Sequence, residues 1–358
     1  MGVKLKGLIL SGGRGTRLRP ITHTSAKQLV PVANKPILFY GIESLKDAGI
    51  TDIGIIVGET KSEIMEAVGN GKLFGIKVTY IDQREPLGLA HAVLCAEDYL
   101  GKTPFVMYLG DNLILSGIKS FVKRFAKSRP NSQILLAHVP NPSQFGVAEL
   151  KGRRVTRLVE KPKKPKSDLA LVGVYMFDHN VFQAAKSIKP SFRDELEITD
   201  AIQWLINHKY RVEYEIISGW WKDTGKLEDL LEANRMILDT FETKIEGEVD
   251  DKSSITFKVV VEKGAKIINS TIRGPAIIGK NSQVINSYIG PFTAIYCNTR
   301  IVNCEIDHSV VLENSALEDI STRITDSLVG KNVEVKKYHK LPRAYRFMLG
   351  DSSKVWIL

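Results

Sequence analysis

Up to about residue 240, short apolar runs rich in β-branched residues alternate with stretches of helical texture. The runs at 6–10, 53–57, 77–81, 105–109, 133–139, 169–177 and 211–217 read as strands, and those at 36–48 and 89–99 read as helices. Strands alternating with helices predict a doubly wound α/β fold, in which a Rossmann-like, mixed or largely parallel sheet is covered by helices. Between 226 and 243, Leu227, Leu230, Leu231, Ile237, Leu238 and Phe241 recur at helical spacing, so an amphipathic helix is expected to close this domain. The acidic stretch 247–251 then reads as a loop.

Beyond residue 255 the pattern changes. Charged helices vanish, and Val261, Ile267, Ile272, Ile278, Val284, Ile289, Ile295 and Ile301 return about every six positions, with Gly264, Gly274, Gly279, Asn281 and Gly290 between them. A hexapeptide period marks a parallel β-helix, whose apolar residues point into a triangular core while each coil buries the next. At about eighteen residues per coil, 255–335 has room for roughly four coils, with an irregular β-sandwich as the alternative. The division expected is an α/β domain over 1–245, a short β-helix over 246–340 and a tail over 341–358. In that tail, Tyr345, Phe347, Met348 and Leu349 are apolar enough to dock on something.

Size and composition narrow the classes. A chain of 358 residues is long for one core, and its 43% hydrophobic and 25% charged fractions are those of a globular protein. No apolar run approaches the roughly 20 residues that cross a bilayer, and no signal-peptide layout opens the chain, so a cytoplasmic protein without a membrane partner is expected. The net charge of +10 raises nucleic acid as a partner. However, the densest basic run, 161–166, is broken by prolines and has no interleaved aromatics, which favours a solvated face with some cations serving a polyphosphate over nucleic-acid binding. Cys95, Cys297 and Cys304 form no C-x-x-C pair and read as buried thiols without chemistry.

The candidate chemistry begins after the first apolar run, with Ser11-Gly12-Gly13-Arg14-Gly15-Thr16-Arg17-Leu18. Glycines at 12, 13 and 15 let backbone N–H groups approach an anion, and Arg14 and Arg17 add positive charge. A P-loop would need Gly-Lys-Ser/Thr, but Thr16-Arg17 follows Gly15; a dinucleotide fingerprint would need a third glycine where Leu18 stands. Asp111 follows the run 105–109, and Asp223 precedes the helix expected from 226. Magnesium prefers one or two carboxylates with phosphate oxygens and water, so two separated acids suit it; a turn residue and a helix cap are the plainer readings.

Together, Gly12 to Leu18 and the later Lys27-Gln28-Leu29-Val30-Pro31 resemble the signature of sugar-1-phosphate nucleotidylyltransferases, and the wording from Lys27 to Pro36 looks most like the thymidylyl-transferring branch. Nucleotidylyltransferases with an appended left-handed β-helix form a subgroup, so the resemblance spans essentially the whole chain. It implies Mg²⁺-assisted attack of a sugar 1-phosphate on the α-phosphorus of dTTP or UTP, releasing pyrophosphate, with glucose 1-phosphate as acceptor and dTDP-glucose as product. On this resemblance Arg14, Lys27, Asp111 and Asp223 are catalytic, the two acids holding the metal. Gly12, Gly13, Gly15, Thr16, Arg17, Gln83, Pro86 and Gly88 bind the nucleotide, and Gly146, Glu160, Lys161, Val172 and Arg193 bind the sugar phosphate.

Other readings remain. Gln83 can pair with thymine or uracil alike, which leaves a uridylyltransferase open. A bifunctional enzyme that also acetylates an amino sugar would need a longer β-helix. A catalytically silent regulatory subunit would be expected to lose the loop cations or metal acids, yet Arg14, Lys27, Asp111 and Asp223 are all present. His91 and His308 read as structural, because a phosphate nucleophile is already anionic and needs no proton shuttle. Flat coil faces make homo-oligomeric assembly the expected role of the β-helix.

Overall fold

The computed structural model describes residues 4–13, 15–23, 25–338 and 345–357. Contacts divide the chain into two compact units, one comprising 1–14, 26–29 and 37–223, the other 15–25, 30–36 and 224–358.

The first unit is built on a nine-stranded mixed sheet. Strands Lys6–Leu10, Asp52–Val57, Lys77–Asp82 and Phe105–Leu109 are mutually parallel neighbours. Leu169–Phe177 runs antiparallel to Phe105–Leu109 and to Ser132–His138. Its sequence explains its place: nine consecutive buried residues suit only a strand covered on both faces. Alternation then sorts side chains between two cores. Leu8, Leu10, Phe105, Met107, Leu171, Tyr175 and Phe177 enter one, while Ile9, Val106, Tyr108, Val172, Val174 and Met176 enter the other. Full burial of each such side chain stabilises the fold by about 1.5–3 kcal/mol before chain entropy is counted.

The expected strands are present with ends within a residue or so, and three details differ. The helix expected over 89–99 is two helices, Leu89–Cys95 and Glu97–Leu100, broken at Ala96, which leaves the helical region with φ −93 and ψ 3. Two further strands, Gly146–Lys151 and Arg154–Glu160, form an antiparallel hairpin at the sheet edge, so the sheet is less parallel than the alternation suggests. The helix expected to close the domain is Leu227–Leu238, which stops short of 243 and groups with the second unit.

In the second unit, strands Val259–Val261, Ala276–Ile278 and Thr293–Ile295 stack in parallel, as do two other series, giving faces of six, six and four strands. This is the repeat architecture expected of a parallel β-helix. Its coils begin earlier than 255: Lys244–Ile245 and Glu248–Val249 already pair with the next coil, so the acidic stretch carries a two-residue strand between bend and turn residues. Acidity did not prevent this, because Glu248 is exposed while Val249 packs against the core. Ile267, Val284, Ile301 and Leu317 stack inside. Corners are turned by asparagines in the left-handed region, at φ 57 for Asn281, 54 for Asn298 and 58 for Asn314. Their amides bond one to the next along the stack. Asparagine tolerates this backbone, and the ladder satisfies its amide.

The same unit contains a two-residue hairpin, Pro31–Val32 paired with Lys35–Pro36. Its turn residues Ala33 and Asn34 both have positive φ, 48 and 60, as a type I′ turn demands. Alanine is an uncommon choice there, and the turn is held from outside. Asn234, 1% exposed, accepts from the Ala33 N–H at 2.9 Å and donates to the Phe292 carbonyl at 2.9 Å, while Asn34 donates to the Ile295 carbonyl at 2.7 Å. Among the described residues no helix is long and apolar enough to cross a membrane.

Asn234→Ala would leave a buried N–H and a carbonyl without these partners and is expected to cost about 2–4 kcal/mol. Asn234→Asp, which keeps the acceptor but sets a buried carboxylate oxygen against the Phe292 carbonyl, should lose at least as much. Thermal unfolding of the two variants checks this, and melting temperatures equal to that of the unaltered protein would contradict it.

Candidate active site

Because the strands ending at Leu10, Val57, Asp82 and Leu109 are parallel, their following loops meet at one edge, where open α/β sheets bind ligands. Backbone bonds stitch these loops together: Ser11 N–H to the Ile56 carbonyl, Gln83 N–H to Val57, and Gly110 N–H to Leu10.

Lys27 opens a short 3-10 turn, Lys27–Leu29, and its stem runs past Gly13. A Cβ on Gly13 would lie 3.3 Å from Lys27 Cε, so the glycine leaves room for the lysine as well as for an anion. The ammonium donates to the Asp111 carboxylate, and the two side chains are only 16% and 13% exposed. Burial pushes the Asp111 carboxyl up, but the Lys27 charge and hydrogen bonds from Lys27 and Asn112 outweigh it, holding the group below the usual carboxylate range.

Asn112 is the hub that sequence reasoning passed over. Its Nδ2 donates to Asp111 at 3.0 Å, and its Oδ1 accepts from Trp221 Nε1 at 2.7 Å and from the Gly173 N–H at 3.3 Å. Strand Asn112–Ile114 pairs antiparallel with Trp221–Asp223, placing Asp223 directly across from Asn112. Asp223 therefore ends the strand that pairs with the one that Asp111, a turn residue, immediately precedes. Among the described residues no group of three or more His, Cys, Asp or Glu is arranged to hold a metal ion, so a closed protein cage is not built there. Two carboxylates, with phosphate oxygens and water to complete the shell, are a donor set that fits magnesium.

Among the residues expected to bind the nucleotide, Gln83 follows strand Lys77–Asp82, and its Oε1 lies 3.2 Å from where a Cβ on Gly12 would be. Its Nε2 donates to the Gly88 carbonyl at 3.1 Å and also meets His91 Nδ1 at 3.1 Å. Gly88 has φ +102, and a Cβ there would fall 2.5 Å from the Leu196 carbonyl, so only glycine fits. Pro86 is exposed on the same turn. Gly15, Thr16 and Arg17 belong to the other unit; Gly15 is left-handed at φ 66, its carbonyl accepts from Thr22 Oγ1 at 2.7 Å, and Thr16 and Arg17 are exposed. Arg14 lies outside the described residues.

Among the residues expected to bind the sugar phosphate, Gly146 and Glu160 are partners across the edge hairpin. Around Glu160 stand Thr199 Oγ1 at 3.2 Å, Arg193 at 3.6 Å and Lys161 at 3.9 Å. Burial first, and then the nearby Glu197 charge, raise the Glu160 carboxyl despite these cations. Arg193 also pairs with Glu195 and Glu197, so it is embedded among acids. Glu160 opens on a cavity of about 630 Å³ shared with Ser191, Phe192 and Asp200. A Cβ on Gly146 would meet Thr199 at 2.6 Å and Glu160 at 3.1 Å. The Val172 side chain is wholly in the core. It lies where the pairing of Leu169–Phe177 with Ser132–His138 breaks register between Leu171 and Tyr175, so main chain is what it has to offer. Thr199 donates to Glu160 and Glu197 pairs with Arg193, and neither was among the residues expected at the site.

A family model described as nucleotidyl transferase matches residues 6–240. A glucose-1-phosphate thymidylyltransferase of Streptomyces antibioticus is 54% identical over 355 residues, 99% of each chain. One from Streptomyces griseus is 50% identical over 354 residues, again 99% of each. Among solved structures, a Bacillus anthracis protein described as a glucose-1-phosphate thymidylyltransferase, in complex with sucrose, superposes with a TM-score of 0.63 at 38% identity, covering 67% of this chain and 98% of the other. Matched by the family model over most of its length and by relatives from end to end, the chain belongs to the nucleotidyl transferase family.

Proposed function

We propose that the protein transfers a deoxythymidylyl group from dTTP to glucose 1-phosphate, giving dTDP-glucose and pyrophosphate. The observation that carries this reading is the buried Lys27–Asp111 pair beside the glycine turn, with Asp223 on the adjacent strand. A phosphate oxygen of the sugar attacks the α-phosphorus in line. The bond from that phosphorus to the bridging oxygen of pyrophosphate breaks, and the oxygen leaves with the electron pair. The reaction moves negative charge without needing a protein nucleophile, so positioned cations and amides carry most of the work.

In this reading Lys27 neutralises charge as the α-phosphorus becomes five-coordinate. The amides of Gly12, Gly13 and Gly15, with Arg14, Thr16 and Arg17, hold the triphosphate. Gln83, Pro86 and Gly88 receive the base. Glu160 accepts from sugar hydroxyls, Lys161 and Arg193 hold the sugar phosphate, and Gly146 and Val172 contribute main chain. Asp111 and Asp223 would hold Mg²⁺, which when bound supplies further charge neutralisation and orientation of the phosphates. The names of the full-length relatives favour dTTP and glucose 1-phosphate within this chemistry. A cytoplasmic location and homo-oligomeric assembly through the coil faces belong to the same reading.

Pyrophosphate release from dTTP and glucose 1-phosphate should stop on chelation and return with added Mg²⁺, which a coupled pyrophosphate assay reads directly. A panel of dTTP, UTP, GTP and ATP against glucose-, mannose- and N-acetylglucosamine-1-phosphate should give the highest kcat/KM for the first of each. A clear preference for another pair would replace the reading. Lys27→Ala should lower turnover by about 100-fold or more, assayed well below the variant's own unfolding temperature; near-normal turnover would remove Lys27 from the mechanism.

A further inference from the structure

We propose that His91 is a positioning residue for base selection, fixing the Gln83 side-chain amide so that only its carbonyl oxygen faces an incoming pyrimidine. The inference rests on the functional reading above, in which Gln83 receives the base. An amide can present either a donor or an acceptor, and which it presents depends on what holds it from behind. Here two groups hold it. The Gly88 carbonyl can only accept, so the side facing it at 3.1 Å must be Nε2. The second hydrogen of the same Nε2 points to His91 Nδ1, also at 3.1 Å. Both donors of Gln83 are thereby used, and Oε1 is left beside Gly12.

For Nδ1 to accept, the imidazole must carry its proton on Nε2. The surroundings admit that tautomer. His91 and Cys95 share one face of helix Leu89–Cys95, and Cys95 Sγ is 3.8 Å from His91 Nε2 and 4.0 Å from Nδ1. Burial pushes the Cys95 thiol up, so the sulfur stays neutral and can serve as a weak acceptor. The contacts run from the Gly88 carbonyl through Gln83 to His91, with the Cys95 sulfur beside the ring.

The chemical consequence is discrimination among pyrimidines. Thymine and uracil carry a hydrogen on N3 and can donate to a fixed acceptor. Cytosine has a lone pair on N3, which would face the Gln83 oxygen acceptor to acceptor. Without His91 the amide keeps only the Gly88 anchor and can turn to offer a donor to cytosine.

The test measures equilibrium binding of dTTP and dCTP to the unaltered full-length protein, His91→Phe and His91→Asn. The Asn side chain places an oxygen near the position of Nδ1 and should restore the acceptor, whereas Phe keeps the volume and loses it. The preference for dTTP over dCTP is expected to fall about tenfold in His91→Phe, the scale of one hydrogen bond, and to stay near the unaltered value in His91→Asn. An unchanged preference in His91→Phe overturns the proposal, as does an equal loss in both variants or no preference in the unaltered protein. Turnover of dTTP with glucose 1-phosphate tests the functional reading separately, because binding ratios do not depend on catalysis.

Discussion

A buried ammonium and a buried carboxylate tolerate the loss of water only in each other's company, and Lys27 and Asp111 impose that constraint on everything near them. Removing one partner of such a pair typically costs about 3–5 kcal/mol because the other is left charged and desolvated. The pair therefore demands a chain path that returns residue 27 to the end of strand Phe105–Leu109, a glycine at 13 to let the lysine stem pass, and Asn112 to bond the second carboxylate oxygen. Asn112 in turn requires Gly173, since a Cβ there would sit 2.6 Å from the amide. A charge requirement at one point thus propagates into glycine and amide requirements on three separate strands and loops.

The α/β core was legible because its strands are continuous apolar runs bounded by polar residues: Lys6–Leu10, Phe105–Leu109 and Leu169–Phe177 have the expected ends. The edge hairpin was not, since Arg154–Glu160 buries only Val155 and Leu158 fully and otherwise reads as charged surface. Its one local signal was Gly152, at φ 61 in the turn. The hexapeptide period exposed the β-helix, yet its first strands hid behind acidic side chains that point outward. The site divides the same way. Lys27, Asp111, Gln83 and Glu160 stand in recognisable strings, while Asn112, Thr199 and His91 matter through contacts that only the folded chain creates. His91 looked structural in the sequence, and its contact with Gln83 is what changes that reading.

The two units solve their polar accounting differently. In the α/β unit buried polar groups converge on the strand ends, where they are few and specific. In the β-helix they repeat: Ser282 Oγ donates to the Tyr296 carbonyl and accepts from Thr299 N–H, and the neighbouring asparagines bond along the stack at intervals of 16 to 18 residues. A repeated solution makes stability nearly additive over coils, whereas a convergent one makes it depend on each member.

Asn234 ties the hairpin at 31–36 to the β-helix coil containing Phe292, and the segment 15–25 groups with that same unit. The graftable piece of this protein is consequently discontinuous. A chimera that exchanged only the C-terminal coils for those of a relative would separate Asn34 and Asn234 from the Ile295 and Phe292 carbonyls to which they donate. Exchanging the coils together with residues 15–25 and 30–36 would move an intact unit, and the natural place to cut lies between Asp223 and Thr224 rather than at the first coil.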